Sequence, residues 1–265
     1  MTSIRCLACL AALLSSLLFA QDTQTKTAAA APPILKEASI TETANSIHIA
    51  ANSPRPLTQV LDALRQKYGW NVDYEDPRYL SKSDIVERTA PNSAAHLFPA
   101  GGALDVDVPA GTPATAPPPE EKTLQLIVDA YNQSKNPGRF ELRKNEDGSL
   151  AIVGVGEQNE NGKTVAQEAP LDLAITLPKH EKSASETVQL ICQKIAEHSH
   201  TQITLGVTPR KLMDHKEVEV SGAKVQARTF LVRTLAATGS TMYWRLLYDP
   251  GSKGFFLDVH AVHSN

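Results

Sequence analysis

Along the chain, apolar positions switch between a period of two and a period near 3.6, and the order of the switches predicts the elements. Ile47 and Ile49 alternate with polar neighbours, as in a half-buried strand. After Ser53 and Pro54, the run LTQVLDALRQKYG places Leu57, Val60, Leu61 and Leu64 on one stripe, the spacing of an amphipathic helix, and Gly69 closes it. WNVDY reads as a strand that ends in the turn EDPRYL. Leu104, Val106 and Val108 alternate again, and the helix KTLQLIVDAYNQS follows with Leu124, Ile127, Val128 and Tyr131 on one face. Phe140 to Val155 reads as a hairpin about the turn Asn145-Glu146-Asp147-Gly148.

The second half repeats this order. Leu171, Leu173 and Ile175 give a strand, and the helix SASETVQLICQKIAEH carries Val188, Ile191, Cys192 and Ile195 at the spacing of Leu57, Val60, Leu61 and Leu64. Ser183 and Glu186 match a capping box at its start. The strand TQITLGV leads to Thr208-Pro209-Arg210-Lys211-Leu212, against Asp76-Pro77-Arg78-Tyr79-Leu80 in the first half. The strand EVEVSG, the helix KVQARTFLVRTLAATG with its stop at Gly239, and a hairpin about Asp249-Pro250-Gly251 complete the series. The shared order and the Leu57/Val188, Leu64/Ile195 and Pro77/Pro209 counterparts point to an internal duplication. The expected fold class is α+β, with two related small domains, each packing two helices on short mixed sheets through βαβ-type motifs.

Three polar or proline-rich stretches break the pattern. Residues 21–40 read as a flexible spacer, 112–121 as a proline-rich insertion, and 156–169 as a linker. The first domain is then expected over 41–155 and the second over 170–265. Ahead of them, Arg5 and the uncharged run Cys6 to Ala20, followed by QDTQTKT, describe a secretory signal peptide over 1–20, with small Ala20 at a candidate cleavage position. That run is short of the roughly 20 residues that cross a bilayer. The expected compartment is the periplasm, with the chain not an integral membrane protein. Removing the signal takes two of the 3 Cys and leaves Cys192, so no internal disulfide is expected. With 26 basic and 29 acidic residues the formal charge is -3, which gives no basic surplus for nucleic acid or anionic lipid.

The segment IHIAANSPRPLTQVLDALRQKYGWNVDYEDPRYL resembles the start of the short N-terminal (STN-like) domain of secretins and TonB-dependent receptors. In that pattern a strand and a small polar turn precede a helix of the form L-x-x-A-L-x-x-L-x-x-x-x-G and an extended V-x-Y-x-P stretch. The later helix of that domain is similar to Val218, Val220, Gly222, Val225, Ala227, Leu231, Leu235, Thr238 and Gly239 here. The resemblance covers most of 46–155 and 170–260. It implies two copies of a fold with two βαβ motifs, placed in the periplasm and making protein contacts. The chain departs from the pattern at Arg88 to Gly102 and in the proline run. No secretin ring or barrel domain follows, so gating and signalling roles are not expected.

Motifs that carry chemistry are missing. There is no G-x-G-x-x-G after a strand, no G-x-x-x-x-G-K-[ST], H-E-x-x-H or G-x-S-x-G, and no C-x-x-C beyond the signal. His198 and His200, His215, and His260 and His263 are the histidine candidates. They lack acidic or Cys partners at ligand spacing, and His198 suits a helix C-terminus. Cys192 takes the place of Leu61 on an apolar stripe, the setting of a buried small hydrophobe. Trp70 and the Tyr243-Trp244 pair start strands that face a core. Glu120-Glu121 is placed on a loop, and Asp105 and Asp107 alternate on a strand, so no two carboxylates face each other for acid–base work. No catalytic, cofactor-binding or metal residue and no cofactor is therefore assigned. The expected role is a non-catalytic envelope adaptor or accessory protein. It would bind another envelope protein or itself through exposed strand edges, at the hairpins 140–155 and 243–259. The rival is an envelope small-ligand sensor or enzyme with a site in the groove between the halves, where Arg78 and Arg210 would meet an anion.

Overall fold

Strand β1 (Ser39–Glu42) and strand β2 (Ser46–Ser53) form a hairpin closed by Thr43, whose N–H and Oγ1 both donate to Ser46 O. β1 thus claims the last residues of the expected spacer. The computed structural model describes residues 37–89, 95–111, 116–159, 161–199 and 201–262, within one compact unit, Ile34–Asn265. The expected signal peptide lies outside the described residues.

The helix α1 (Pro56–Tyr68) begins on a proline, which is preorganised for a first helical turn, and ends at Gly69 with φ 75. Its predicted stripe Leu57, Val60, Leu61 and Leu64 is wholly buried, worth roughly 1.5–3 kcal/mol for each large side chain. Strand β3 (Asp73–Glu75) follows, displaced towards the end of the expected WNVDY strand. The stretch after it, which gave no pattern, folds into a hairpin of β4 (Ile85–Thr89) and β5 (Ala95–Pro99). Strand β6 (Gly102–Pro109) pairs antiparallel with β2. Helix α2 (Glu120–Gln133) takes Glu120 and Glu121 into its first turn, not a loop, where carboxylates suit the dipole. The expected insertion therefore stops at Pro119.

Strands β7 (Arg139–Lys144) and β8 (Leu150–Gln158) form the first long hairpin. The expected linker is drawn into it. β8 runs on to Gln158, and β9 (Thr164–Ala166) folds back on it, because Asn159 Oδ1 accepts from the N–H groups of Asn161 and Lys163 and makes the turn. Pro170–Asp172 is a 3-10 turn, so the next strand, β10 (Ala174–Leu177), starts later than expected. The two-residue strand β11 (Lys182–Ser183) precedes α3 (Ala184–Ser199), where Ser183 Oγ and Glu186 make the predicted capping box. Strand β12 (Ile203–Leu205) leads into a single turn, α4 (Arg210–Met213). The EVEVSG segment supplies β13 (Glu217–Val218) and, at Gly222, the first residue of the next strand. β14 (Gly222–Gln226) then pairs with β10 and delays α5 to Ala227–Ala237. Strands β15 (Met242–Asp249) and β16 (Gly254–Ala261) close the chain.

The same pairings recur in each half. β2 pairs antiparallel with β6, as β10 does with β14. β3 runs parallel to β8 and β8 antiparallel to β7, as β12 does to β16 and β16 to β15. The two triplets join through a parallel pairing of β3 with β15, giving one sheet of order β12-β16-β15-β3-β8-β7, with β9 on β8. Arg245 pairs with Tyr74 and Leu246 with Glu75. Tyr74 points into the first core with α1 and α2, whereas Leu246 points into the second core with α3 and α5. The helices of the two halves therefore cover opposite faces of a shared sheet. The second triplet is the first one turned over and displaced along the hydrogen-bonding direction.

Candidate functional site

Buried charge gathers on one short stretch, Asp73 to Tyr79, because β3 ends where the two triplets meet. Asp76 is fully buried. Its Oδ1 accepts from Tyr74 Oη at 2.7 Å and Tyr79 Oη at 3.0 Å. Its Oδ2 accepts from Arg55 Nε at 2.6 Å and from the Tyr248 N–H at 3.0 Å, and Arg55 Nη2 also donates to Tyr248 O at 2.6 Å. Burial by itself would lower the Arg55 pKa, but the Asp76 charge beside it holds it above its ordinary value. Burial, then the Asp76 charge, pushes both tyrosines well up. Gly154 makes this possible: a Cβ there would lie 2.3 Å from Pro77 N, so only glycine lets the Asp76-Pro77 peptide cross β8.

A second buried group sits on the opposite face. Glu75 Oε2 meets Arg228 Nη2 at 2.5 Å, Arg228 also reaches Asp172 Oδ1 at 3.0 Å, and the Leu171 N–H donates to Glu75 Oε1 at 3.0 Å. Arg143 extends the chain of charges by an ion pair to Asp172. Burial raises the Glu75 pKa against the opposing pull of Arg228. Asp73 completes the seam, accepting from the Trp244 N–H at 3.0 Å and Asn145 Nδ2 at 3.0 Å, and burial pushes its carboxyl up to about 7. Outside the sheet, Asp62 on α1 pairs with Arg245, and the Arg65 guanidinium lies 3.5 Å over the Tyr243 ring. Each carboxylate of the stretch takes at least one donor from the other half: Trp244 N–H on Asp73, Leu171 N–H and Arg228 on Glu75, and Tyr248 N–H on Asp76. Chemically, this arrangement is a latch that ties the two halves together through buried, hydrogen-bonded carboxylates, of which Asp73 also borders a concavity.

The other singled-out residues are dispersed. Arg78 forks onto Glu157 at 2.8 and 3.0 Å, while Arg210 is exposed on α4, so the two arginines do not build a common anion site. His198 Nδ1 lies 2.8 Å from Lys194 O at the end of α3, and His260 stacks on Tyr243 with ring centroids 4.9 Å apart. His215 is exposed, and His200 and His263 lie outside the described residues. Among the described residues, no group of three or more His, Cys, Asp or Glu is placed to hold a metal. Cys192 is buried in the second core, which pushes its thiol up to about 12. Trp70 lies in the first core and Trp244 in the second. Asp105 and Asp107 flank His48 across β2 and β6, an exposed cluster at 3.7 and 3.1 Å.

Two concavities border the seam. One, of about 260 Å³, takes Asn71 and Asp73 from the first half and Leu235, Thr241 and Trp244 from the second. Trp244 Nε1 and Asn145 Oδ1 beside the seam are buried without a hydrogen-bond partner among the described residues. The other, of about 380 Å³, lies between the β4–β5 hairpin and the end of the sheet, lined by Leu97, Phe98, Val207, Leu247 and Phe256. Here Val207 is 61% and Phe256 40% exposed, beside the end strand β12.

The sheet order corrects one expectation about the edges. The hairpin at 243–259 is not an edge, because β15 is covered by β3 and β16 by β12. Among the described residues, the ends of this sheet are β7 and β12. The β4–β5 hairpin and the turned-over sheet carry no sequence signal, since a triplet's face is set by pairings far apart in the chain. The clue that was present is the density of charged and aromatic residues in DYEDPRY, unusual for a strand buried on both sides.

Fold and site thus define an α+β protein with a buried charge cluster between its halves and, among the described residues, a central sheet that ends at β7 and β12. The chain matches no family model, no curated protein and no solved structure. Among the described residues, no helix is long and apolar enough to cross a membrane.

Proposed function

We propose that this is an exported cell-envelope protein without catalytic activity, which binds an extended segment of a protein partner by strand addition at β12. The observation that carries the reading is the end strand flanked by exposed Val207 and Phe256 and by the Leu97 and Phe98 side chains of the β4–β5 hairpin. An unpaired edge supplies main-chain hydrogen bonds, and an adjacent apolar groove supplies selectivity for alternate side chains. The export signal read from the sequence and the resemblance to the N-terminal domains of secretins and TonB-dependent receptors support the envelope setting. The βαβ-type pairings in each half are in keeping with that resemblance. A photo-cross-linking residue at position 207 in the exported protein tests the idea in cells. Adducts with a defined protein, lost when Leu205→Pro removes an edge N–H, are expected; no adduct at 207, 97 or 256 sinks it.

A second reading rests on the 260 Å³ concavity, which both halves line and beside which Trp244 Nε1 lacks a partner. It is that of a sensor for a small polar ligand with an apolar side. A thermal-shift screen with amines, amides and cell-wall fragments separates the two, since only the sensor gains stability.

A further inference from the structure

The internal junction has an unfilled counterpart at each end of the sheet. Carrying the Leu57/Val188 spacing forward sets Tyr74 against Leu205, and the pairings agree. Tyr74 lies opposite Ile152 and Leu205 opposite Leu257. Ile152 in turn lies opposite Leu142 of β7, and Leu257 opposite Leu246 of β15. β12 is therefore the equivalent of β3, and β7 the equivalent of β15. Inside the chain, β3 receives β15 in parallel; at the ends of the sheet, β12 and β7 have no strand beside them among the described residues.

We propose that the occupant of the β12 edge is β7 of a second copy of this chain, so that copies add head to tail into an extended sheet. This rests on the strand-addition reading above and names its partner. Strand directions allow it. Each triplet is turned over relative to its neighbour, so the next copy repeats the alternation of helices between faces, and β12 meets β7 in parallel as β3 meets β15. The junction inside the chain also shows how little main chain such a contact needs. Leu246 O accepts from the Asp76 N–H, while side-chain carboxylates take the N–H groups of Trp244 and Tyr248. At the β12 end the counterpart Val207 N–H is held by Asp258 Oδ1 at 2.8 Å, so the copy-to-copy contact rests on Leu205 and on the apolar side chains. On β7, Leu142 stands where Leu246 does. Phe140 is already served by its own α2, since Asn132 Oδ1 accepts from the Phe140 N–H and Asn132 Nδ2 donates to Phe140 O.

The ends differ from the internal junction in charge. The buried Asp73, Glu75 and Asp76 have Thr204, Gly206 and Val207 as counterparts, and Val207 is solvent-exposed where Asp76 is sealed. The copy-to-copy contact is thus an uncharged version of the latch. It avoids the cost of burying carboxylates but lacks their directional bonds, the profile of a reversible contact. Asp62, which pairs with Arg245, has Gln193 as its counterpart on α3, next to Lys194; the counterpart of Arg245 on β7 is Glu141. A heterologous contact of this kind does not close on itself as a two-fold dimer does, and yields chains or rings.

Sedimentation velocity and light scattering on the full chain, purified after export, test this. Wild type is expected to grow beyond dimer as concentration rises to about 1 mM, the range where weak association of roughly 4 kcal/mol becomes visible. Val207→Lys blocks one end and Leu142→Pro the other. Each alone is expected to be monomeric, and an equimolar mixture to give a dimer and nothing larger. Glu141→Lys, which keeps the apolar contact of Leu142, serves as the second blocker of the β7 end, and circular dichroism checks that each variant is folded. A monomeric wild type at 1 mM, a single variant that still dimerises, or a mixture that stays monomeric each overturns the proposal. If the cross-linker at 207 then traps a different protein, strand addition survives without self-assembly; if it traps nothing, both fail.

Discussion

Asp76→Ala removes one carboxylate and strands four donors. Tyr74 Oη, Tyr79 Oη, Arg55 Nε and the Tyr248 N–H all point at its two oxygens in a fully buried space. Breaking a buried ion pair by deleting one partner costs about 3–5 kcal/mol, because the remaining charge stays buried without compensation. Arg55 has a side chain only 19% exposed, so little of this is recovered from solvent. The hydroxyls can turn towards each other, so their loss adds little, and the expected destabilisation is about 4 kcal/mol. Guanidinium unfolding followed by tryptophan fluorescence measures it, and the two tryptophans make the assay local. Trp70 lies in the first core and Trp244 in the second, so Trp70→Phe and Trp244→Phe backgrounds report one half each. The two transitions are expected to coincide with Asp76 present and to separate in Asp76→Ala. Adding Arg55→Met should restore part of the loss, since removing both partners leaves no stranded charge. A loss under about 1 kcal/mol, or a double variant less stable than Asp76→Ala, refutes the latch argument.

The buried Asp73 carboxyl, pushed up to about 7 from 3.8, binds its proton more tightly in the folded state than in the unfolded one. Its contribution is therefore greatest in acid and is lost as pH rises from about 4 to about 7. Asp73→Asn should remove that decline, so the stability difference between variant and wild type, followed by urea melts at pH 5 and pH 8, shifts in favour of the variant at pH 8; a difference independent of pH contradicts the assignment. Gly154→Ala drives a Cβ into the Pro77 nitrogen and should cost about 1–3 kcal/mol in a urea melt; an unchanged midpoint would mean that the crossing yields. Cys192, buried with its thiol pushed up to about 12, should resist a thiol reagent at pH 8 and react at once in denaturant; prompt labelling of native protein would place it at the surface.

The helices were legible because a stripe such as Leu57-Val60-Leu61-Leu64 is a local pattern, and so was the capping box at Ser183 and Glu186. The α+β class followed from the alternation of such stripes with short strands. Where tertiary pairing decided, the boundaries moved. β14 took residues that read as the start of a helix because β10 needed a partner, and within the polar run 156–169 residues 156–158 and 164–166 became strand because β8 offered an edge. The latch was present in the text of the sequence as DYEDPRY, but its meaning depends on partners at Arg55, Arg228 and Trp244. Those lie far away along the chain, and no periodicity links them. The open edges depended in turn on which strand of each triplet the other half covers.

The pairing of β3 with β15 also sets an order of events during synthesis. Asp73 and Asp76 wait for N–H donors 171 and 172 residues further along the chain. At about 5–20 residues per second, that is a delay of roughly 10–30 s in which the first half has emerged with three carboxylates that water must solvate. Closing so long a loop before any reward is slow in itself. A nascent chain held open by its own acidic strand stays threadable for that interval, and one cut short before Met242 has nothing to close upon.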